Sequence, residues 1–289
     1  MKLIRITTVI AAAALTIGLA GCATSPEGPG NAENPTHEGM LTAGSTLSYP
    51  PFEFMEGDTP TGFEVELAET LAKSIGYDGV TWIATNFEGI IPGVATGKFD
   101  FAASGITGWA PDGSPALAVV NKRTEQVSFT TPHFLYPALI VTSSKKHPEI
   151  TSVDQLTAGM KVSVVDGSHV YFWAQDVLAK KGVEVIAVKS GAQAYTQLAA
   201  GLIDATVDVK AAAVKAQQAN ADLQLGEEVP ALTGGYGFAY SPSNDELRSA
   251  FSDALAKAVA DGSYAKLYEK YFPGEDVPTL PTTAYPPIK

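Results

Sequence analysis

Cysteine is nearly absent from the chain: Cys22 is the only one among 289 residues. One cysteine cannot form a disulfide within the chain, and it cannot build a cysteine-rich zinc site. Histidine is also scarce, and no two of the four histidines have a short metal-ligand spacing: His37, His133, His147 and His169. We therefore predict neither a metal site nor a cofactor.

Positive charge is the second shortage. The chain has 19 Lys and Arg against 31 Asp and Glu, a net charge of −12, so it cannot assemble a basic face for nucleic acid. Charged residues make up 17% and hydrophobic residues 45% of the chain, which excludes a disordered or fibrous protein. The length allows one large domain or two lobes that each bury a core.

The N-terminus is typical of a secretory signal. Lys2 and Arg5 precede an apolar run at residues 6–20, which is shorter than the roughly 20 residues of a membrane span. The run ends in Leu-Ala-Gly-Cys at residues 19–22, which resembles the bacterial lipobox. We predict a signal peptide at 1–21, a lipid on Cys22 and a flexible tether at 22–40; the alternative is an ordinary signal peptide with a cysteine at its cleavage point.

Strands and helices are predicted to alternate after residue 41. Helical periodicity marks residues 64–75, 88–96, 170–181, 192–200, 244–260 and 263–271, and strand-like runs mark 80–83, 99–103, 161–165, 183–188 and 205–207. This order predicts two α/β blocks, each a mostly parallel sheet flanked by helices. Because the helical tail lacks a sheet of its own, we predict that the chain crosses twice between lobes, with lobe 1 at 41–133 plus 234–289 and lobe 2 at 134–233.

Several short motifs follow one another in a fixed order. They are Tyr-Pro-Pro-Phe-Glu-Phe at 49–54, Gly-Phe-Glu-Val-Glu-Leu-Ala at 62–68, Asn-Phe-Glu-Gly-Ile-Ile-Pro at 86–92, Gly-x-x-Asp at 97–100 and 201–204, Arg-Thr-Glu-Gln-Val-Ser-Phe-Thr at 123–130, and Asp-Gly-Ser-Tyr at 261–264. Through them residues 41–272 resemble the family 3 extracytoplasmic solute-binding proteins, the polar amino-acid receptors of ABC importers. The resemblance implies a two-lobed, type 2 periplasmic-binding-protein fold and a monomer that delivers a small ligand to permease subunits.

The resemblance also implies a ligand site. Arg123 matches the arginine that clamps the ligand α-carboxylate, a role suited to its two parallel N–H donors. Gly105 and Thr107 match positions that offer backbone groups and a hydroxyl to the ligand. Tyr49 and Phe87 match the aromatic side chains that enclose it.

Residues 166–169, Asp-Gly-Ser-His, follow a predicted strand and precede a helix. Neighbours in sequence seldom have the geometry of a catalytic triad, and no Gly-x-Ser-x-Gly motif is present. We interpret Ser168 and His169 instead as the start of a helix whose N–H groups bind the ligand carboxylate.

Two positions depart from the family pattern. Thr46 and Val209 stand where the family usually has the aspartates that hold the α-ammonium, and Asp208 lies one residue before Val209. A one-residue shift reverses the facing of a strand side chain, so either Asp208 enters the site or neither position supplies an acid. Residues 108–122 are an additional segment, in which Trp109 covers the ligand as part of a lid or lies in a surface loop.

The sequence thus predicts a substrate-binding lipoprotein, not an enzyme, on the outer face of the cytoplasmic membrane. It would capture a carboxylated polar solute, most simply an amino acid. Two alternatives stand beside this hypothesis: a dehydratase or lyase on the same fold, with Glu53, Asp166 or Asp208 as its acid or base, and a ligand-sensing accessory protein.

Overall fold

Two five-stranded sheets organise the chain in this computed structural model, which describes residues 39–283. The strands are β1 Met40–Ser45, β2 Ser48–Tyr49, β3 Glu53–Glu56, β4 Thr59–Thr61, β5 Gly79–Ala84, β6 Phe101–Ala102, β7 Thr107–Trp109, β8 Ser128–Phe129, β9 Phe134–Tyr136, β10 Ala138–Ser143, β11 Lys161–Val165, β12 Glu184–Val188, β13 Ala205–Val209, β14 Leu223–Glu228, β15 Gly234–Tyr236 and β16 Ala239–Tyr240. The helices are α1 Phe63–Ser74, α2 Ile90–Ala95, α3 Pro115–Thr124, α4 His169–Val177, α5 Gly191–Ala199, α6 Lys210–Ala219, α7 Asp245–Ala260 and α8 Ser263–Tyr271.

The first sheet, called sheet one, has the strand order β5-β1-β6-β16-β8. The pairs β1–β5 and β1–β6 are parallel, whereas β16 is antiparallel to both β6 and β8. Four of the five strands therefore run in one direction. The helices α1, α7 and α8 contact one another, and with sheet one they bury an aromatic-rich core that includes Phe63, Phe101, Phe251 and Tyr264.

The second sheet, called sheet two, repeats this plan with the order β12-β11-β13-β10-β14. The pairs β11–β12 and β11–β13 are parallel, and β10 is antiparallel to β13 and β14. Its core is aliphatic, with Ile140, Val162, Val164 and Val207 packed around Trp173 of α4. The structure confirms the predicted α/β fold with mostly parallel sheets.

A third, three-stranded sheet joins the two. Its order is β7-β15-β9, with Tyr136 of β9 opposite Gly234 of β15. Only Pro137 separates β9 from β10 of sheet two, and β15 leads within a few residues to β16 of sheet one. The chain therefore passes between the sheets at two neighbouring places.

The first helix shows how the sequence fixes a local element. Gly62 precedes α1 with φ 124°, and a Cβ there would lie 2.3 Å from the carbonyl oxygen of Phe52, so only glycine fits without strain. Glu64 and Glu66 occupy the first turn and Lys73 the last, an arrangement that complements the helix dipole. The predicted helix at 64–75 is confirmed.

The additional segment forms the end of β7, a short loop and α3. Pro115 starts this helix and Ala116 and Val120 form its buried face with Ala110. The helix packs against α4, which follows sheet two's β11. Between residues 39 and 283, no helix combines the length and the apolar character needed to cross a bilayer.

Candidate ligand site

A cavity lies where the carboxyl ends of strands from both sheets face each other. Its unfilled space is about 570 Å³, part of it open to solvent. Parallel strands place the residues that follow them at one edge of a sheet. The lining residues on the side of sheet one are Thr46, Ser48, Tyr49, Glu53, Phe87, Ser104, Gly105 and Tyr236, and those on the side of sheet two are Val165, Ser168, His169, Val170, Lys189, Ser190, Gly191, Val207, Asp208 and Val209.

Asp208 lines this cavity and joins its two walls. Its Oδ1 accepts hydrogen bonds from the Tyr49 hydroxyl at 2.7 Å and from the Val209 N–H at 2.7 Å, and its Oδ2 accepts from Tyr195 at 2.8 Å. Burial raises the pKa of Asp208, and these hydrogen bonds oppose the rise. The neighbouring Val209 is buried in the apolar core, so the acid at position 208 is the one in the cavity.

Gly105 allows the aromatic rings of Tyr49 in β2 and Tyr236 in β15 to close on the cavity. Its φ is 56°, and an added Cβ would lie 3.0 Å from the Tyr49 ring and 3.2 Å from the Tyr236 ring. The Tyr49 and Tyr236 hydroxyls are 3.2 Å apart. A side chain at position 105 would push these rings out of place.

Arg123 lies behind the cavity wall rather than in it. Its Nη1 donates to the Thr107 carbonyl at 2.9 Å and its Nη2 to the Gly167 carbonyl at 3.3 Å. The guanidinium carbon is 5.7 Å from the centre of the Phe87 ring. Burial lowers the pKa of Arg123 to about 10, so the group stays charged at neutral pH. It connects β7 of the three-stranded sheet to the residue before Ser168.

His169 is the first residue of α4 and has a buried ring. Its Nδ1 is 3.0 Å from the Thr107 Oγ1 and its Nε2 is 3.4 Å from the Tyr136 hydroxyl. Burial, together with the nearby charge of Arg123, lowers the pKa of His169 to about 3. The ring is therefore neutral at physiological pH, which avoids two adjacent buried cations.

Ser168 caps the same helix. Its hydroxyl oxygen accepts the Tyr171 N–H at 3.1 Å, which leaves the free N–H groups at the start of α4 directed towards the cavity edge. A partial positive charge at this end favours an anion.

A second acid, Glu53, also lines the cavity and is fully buried. Its Oε1 accepts hydrogen bonds from the Ser104 hydroxyl at 2.9 Å and from the Thr46 hydroxyl at 3.2 Å. Burial, together with the charge of the neighbouring buried Glu64 carboxyl and a hydrogen bond to it, raises the pKa of Glu53 well above its ordinary value. Sequence reasoning named Glu53 only as a candidate catalytic acid.

Lys189 lies at the rim and connects the two walls through charge. Its Nζ contacts the Glu88 carboxylate on the side of sheet one and is 3.9 Å from the Asp166 carboxylate. These side chains are largely exposed, so the ion pair is weak. Lys189 and Tyr236 are cavity residues that the sequence analysis missed, although Lys189 directly follows a predicted strand.

Six of the eight predicted ligand residues line the cavity: Tyr49, Phe87, Gly105, Ser168, His169 and Asp208. Thr107 and Arg123 form the layer behind His169. Trp109 pairs with Gly235 in the three-stranded sheet and is not among the lining residues. Cys22 lies outside the described residues.

Comparison with known proteins identifies the family of this chain. A family model for bacterial extracellular solute-binding proteins, family 3, matches residues 41–274. The chain belongs to this family. Its members capture solutes outside the cytoplasm for import, which is the function that the sequence motifs predicted.

Known relatives align over most of the chain. The probable amino-acid-binding protein YxeM of Bacillus subtilis is 28% identical over 275 residues, 93% of this chain and 96% of YxeM. The lysine/arginine/ornithine-binding periplasmic protein of Escherichia coli K12 is 27% identical over 238 residues, 79% of this chain and 86% of that protein.

Solved structures agree with the fold. An ancestral arginine-binding protein bound to arginine superposes with a TM-score of 0.69 at 29% identity, over 81% of this chain and 98% of that one. The ancestral amino acid-binding protein AncCDT-1, a precursor of cyclohexadienyl dehydratase, superposes with a TM-score of 0.70 at 28% identity. The match covers 81% of this chain and 95% of that one.

The neutral state of His169 predicts a pH dependence of stability. The pKa of His169 in the folded protein, about 3, lies below the pKa of 6.5 of an ordinary histidine, so the unfolded chain binds the proton first as the pH falls. The contribution of His169 is complete above pH 6.5 and is lost towards pH 3, by about 1.4 kcal/mol per pH unit.

Urea unfolding of wild type and His169→Asn at pH 7 and pH 4.5 measures this effect. The stability advantage of wild type over the variant should shrink at the lower pH. An advantage of equal size at both pH values would show that the ring does not change its protonation on unfolding.

Proposed function

We propose that this chain captures an amino acid in the cavity between its two sheets and delivers it to the permease of an ABC importer. The observation that carries the proposal is that Asp208 at the end of β13 and the start of α4, with Arg123 behind it, lie at the same cavity. An acceptor and an anion-binding end at one cavity match the ammonium and carboxylate of an amino acid. Amino-acid-binding relatives in the family support this assignment.

The carboxylate lies at the free N–H groups of the first turn of α4 in this proposal. The charge of Arg123, held by the Thr107 and Gly167 carbonyls, favours an anion there. The ammonium takes the place of the Tyr49 hydroxyl on Asp208, while the rings of Tyr49 and Phe87 cover the ligand.

Binding without turnover fits the geometry better than catalysis does. The Asp208 oxygens already accept three hydrogen bonds, and both ring nitrogens of His169 lie against hydroxyls. Neither group is left free as an acid or base facing the cavity. The chain therefore holds its ligand unchanged.

The two sheets form the cores of two lobes that close on the ligand. Lobe 1 comprises 41–133 and 234–289, lobe 2 comprises 134–233, and the hinges lie at 134–138 and 230–236, where the chain passes between the sheets. Four contacts across the cavity represent the closed arrangement of the lobes. They are made by Asp208, His169, Gly167 and Lys189.

The protein acts at the cell envelope as a monomer. A signal peptide at 1–21 directs export, and a lipid on Cys22 with the tether at 22–40 holds the folded part at the outer face of the cytoplasmic membrane. The single cysteine after Leu-Ala-Gly supports this location.

Asp208→Asn is expected to weaken amino-acid binding strongly. Loss of a buried charge partner costs about 2–5 kcal/mol, which corresponds to roughly 30-fold to several thousand-fold in affinity. Arg123→Ala should have an effect of the same order. Calorimetric titration with the twenty amino acids identifies the ligand, and Asp222→Asn, an exposed acid paired with Lys145, is the matched control. Equal affinity of wild type and Asp208→Asn would remove Asp208 from the site.

Ligand binding is expected to reduce the radius of gyration, because hinge closure brings the lobes together. Small-angle scattering of the same sample with and without the ligand identified by calorimetry measures the change. An unchanged radius at saturation contradicts hinge closure.

Cys22→Ala is expected to release the protein from membranes or to leave it unprocessed, because the acceptor of the lipid is gone. Fractionation and mass spectrometry of wild type and variant test this. A fully processed variant that stays with the membranes would exclude the lipid anchor.

A further inference from the structure

Two adjacent residues of the cavity wall, Ser104 and Gly105, are held by two buried acids. The Ser104 hydroxyl donates to the Glu53 Oε1 at 2.9 Å, and the Gly105 N–H donates to the Glu64 Oε2 at 2.8 Å. Glu53 belongs to β3 and Glu64 to α1, and both side chains are fully buried. One short turn of the wall is therefore fixed by acids from two different elements.

The two acids share a proton. Glu53 and Glu64 are hydrogen-bonded to each other, and because ionised carboxylates only accept hydrogen bonds, one of them must carry a proton. Glu64 accepts N–H groups with both of its oxygens. Glu53 accepts from Thr46 and Ser104 through Oε1 alone. The geometry therefore places the proton on Glu53 and the negative charge on Glu64.

His133 is the third partner of this cluster. Its Nε2 is 2.7 Å from the Glu64 Oε1, and its ring stacks on Phe238 with the ring centres 4.1 Å apart. Between residues 39 and 283, its Nδ1 has no hydrogen-bond partner, so a second proton on the ring would lack an acceptor. The tautomer with its proton on Nε2 donates to Glu64 and leaves the ring neutral.

Neutral donors alone stabilise the charge of Glu64. In the part of the chain that the structure describes, neither acid forms an ion pair with a lysine or an arginine. Tyr236 of β15 is a further titratable group near Glu64, and burial raises its pKa well above its ordinary value. Tyr264 of α8 donates its hydroxyl proton to the His133 carbonyl, and Asp208 at the cavity adds no positive charge. A buried charge that has only such donors binds each of them strongly.

We propose that Glu64 is a positioning residue of the cavity: its carboxylate fixes the Gly105 N–H, and the proton on Glu53 keeps that carboxylate in place. This inference rests on the proposed function, which assigns the cavity to an amino acid. A trans peptide holds its N–H and C=O in opposite directions, so the anchor at Gly105 also fixes the direction of the Ser104 carbonyl. Loss of the proton would place two buried anions side by side and move Glu64 away from Gly105.

NMR observes the anchor directly. The pair Ser-Gly occurs at 104–105 and 190–191 and nowhere else in the sequence, so ¹³C-carbonyl serine together with ¹⁵N-glycine selects these two amides in the full chain. Glu64→Gln removes the charged acceptor and is expected to move the Gly105 proton resonance upfield. Glu56→Gln, which changes an exposed acid of β3, should leave that resonance in place.

Calorimetric titration with each of the twenty standard amino acids measures the consequence for binding. For the amino acid that wild type binds most tightly, Glu64→Gln is expected to lower the affinity by about tenfold to a hundredfold, the value of a hydrogen bond to a charged group. The measurement is made at a temperature where the variant is folded, and Glu56→Gln should bind as wild type does. If Glu64→Gln does not fold, Glu64→Asp, which keeps the charge on a shorter side chain, should show the same loss.

Urea unfolding without any ligand tests the shared proton. Burial, together with the charge of Glu64, raises the pKa of Glu53 well above its ordinary value of 4.5, so the folded chain keeps a proton that the unfolded chain loses. Wild type should therefore lose stability relative to Glu53→Gln as the pH rises from 4.5 to 7. Glu56→Gln should show no such trend against wild type.

An unmoved Gly105 resonance or an unchanged affinity in Glu64→Gln would overturn the positioning role, even in a less stable variant. A stability difference between wild type and Glu53→Gln that stays constant with pH would overturn the shared proton. A wild type that binds none of the twenty amino acids contradicts the proposed function, and the NMR and unfolding measurements then still decide whether Glu64 anchors Gly105.

Discussion

The hydrogen bond between the Tyr49 hydroxyl and the Asp208 carboxylate is the contact on which the arrangement of the cavity depends. It places an acid from sheet two against the ring of Tyr49 in β2, across the cavity, in surroundings where an unpartnered charge would be expensive. Tyr195 and the Val209 N–H complete the set of donors. Because the tyrosine hydroxyl is a neutral donor, an ammonium can replace it with a gain in Coulomb energy.

The cost of an unpartnered buried charge also explains the layer behind the start of α4. The guanidinium of Arg123 is buried and is held by two carbonyls, one from each side of the cavity. His169 beside it remains neutral because two adjacent buried cations would repel each other. Fixed dipoles and one remote charge therefore prepare this wall for an anion, and no cation has to move when the ligand arrives.

Sequence reasoning predicted the fold well because its signals were local and repeated. Helix α1 carries its apolar spacing and terminal charges in twelve residues. Two helices had weaker signals: α6 is rich in alanine but has no regular apolar stripe, and α3 follows a loop in a segment that resembles no motif. Both depend on packing against other elements, which periodicity alone does not reveal.

The sequence indicated residues near the site, but not which of them line the cavity and which lie behind its wall. The motifs matched Tyr49 to a ligand position but left Asp208 open, because whether Asp208 or Val209 faces the cavity depends on which face of β13 meets the opposite wall, a property of the assembled sheets. Arg123 was expected to touch the ligand, whereas its position behind Gly167 follows from the course of α3. Glu53 belongs to the motif at 49–54, but its pairing with Glu64 could not be predicted because the two residues meet only in the folded chain.

The two neighbouring passages between the sheets make sheet two an insertion within the first lobe. Because Tyr136 pairs with Gly234, the segment between them begins and ends at one spot, as an inserted domain does. Such a segment can be exchanged as a unit between relatives without moving either chain end. Recombination at these two points would transplant Asp208 and the start of α4 while leaving Tyr49 and Phe87 in place, so the two walls of the cavity can be exchanged separately in evolution and in engineering.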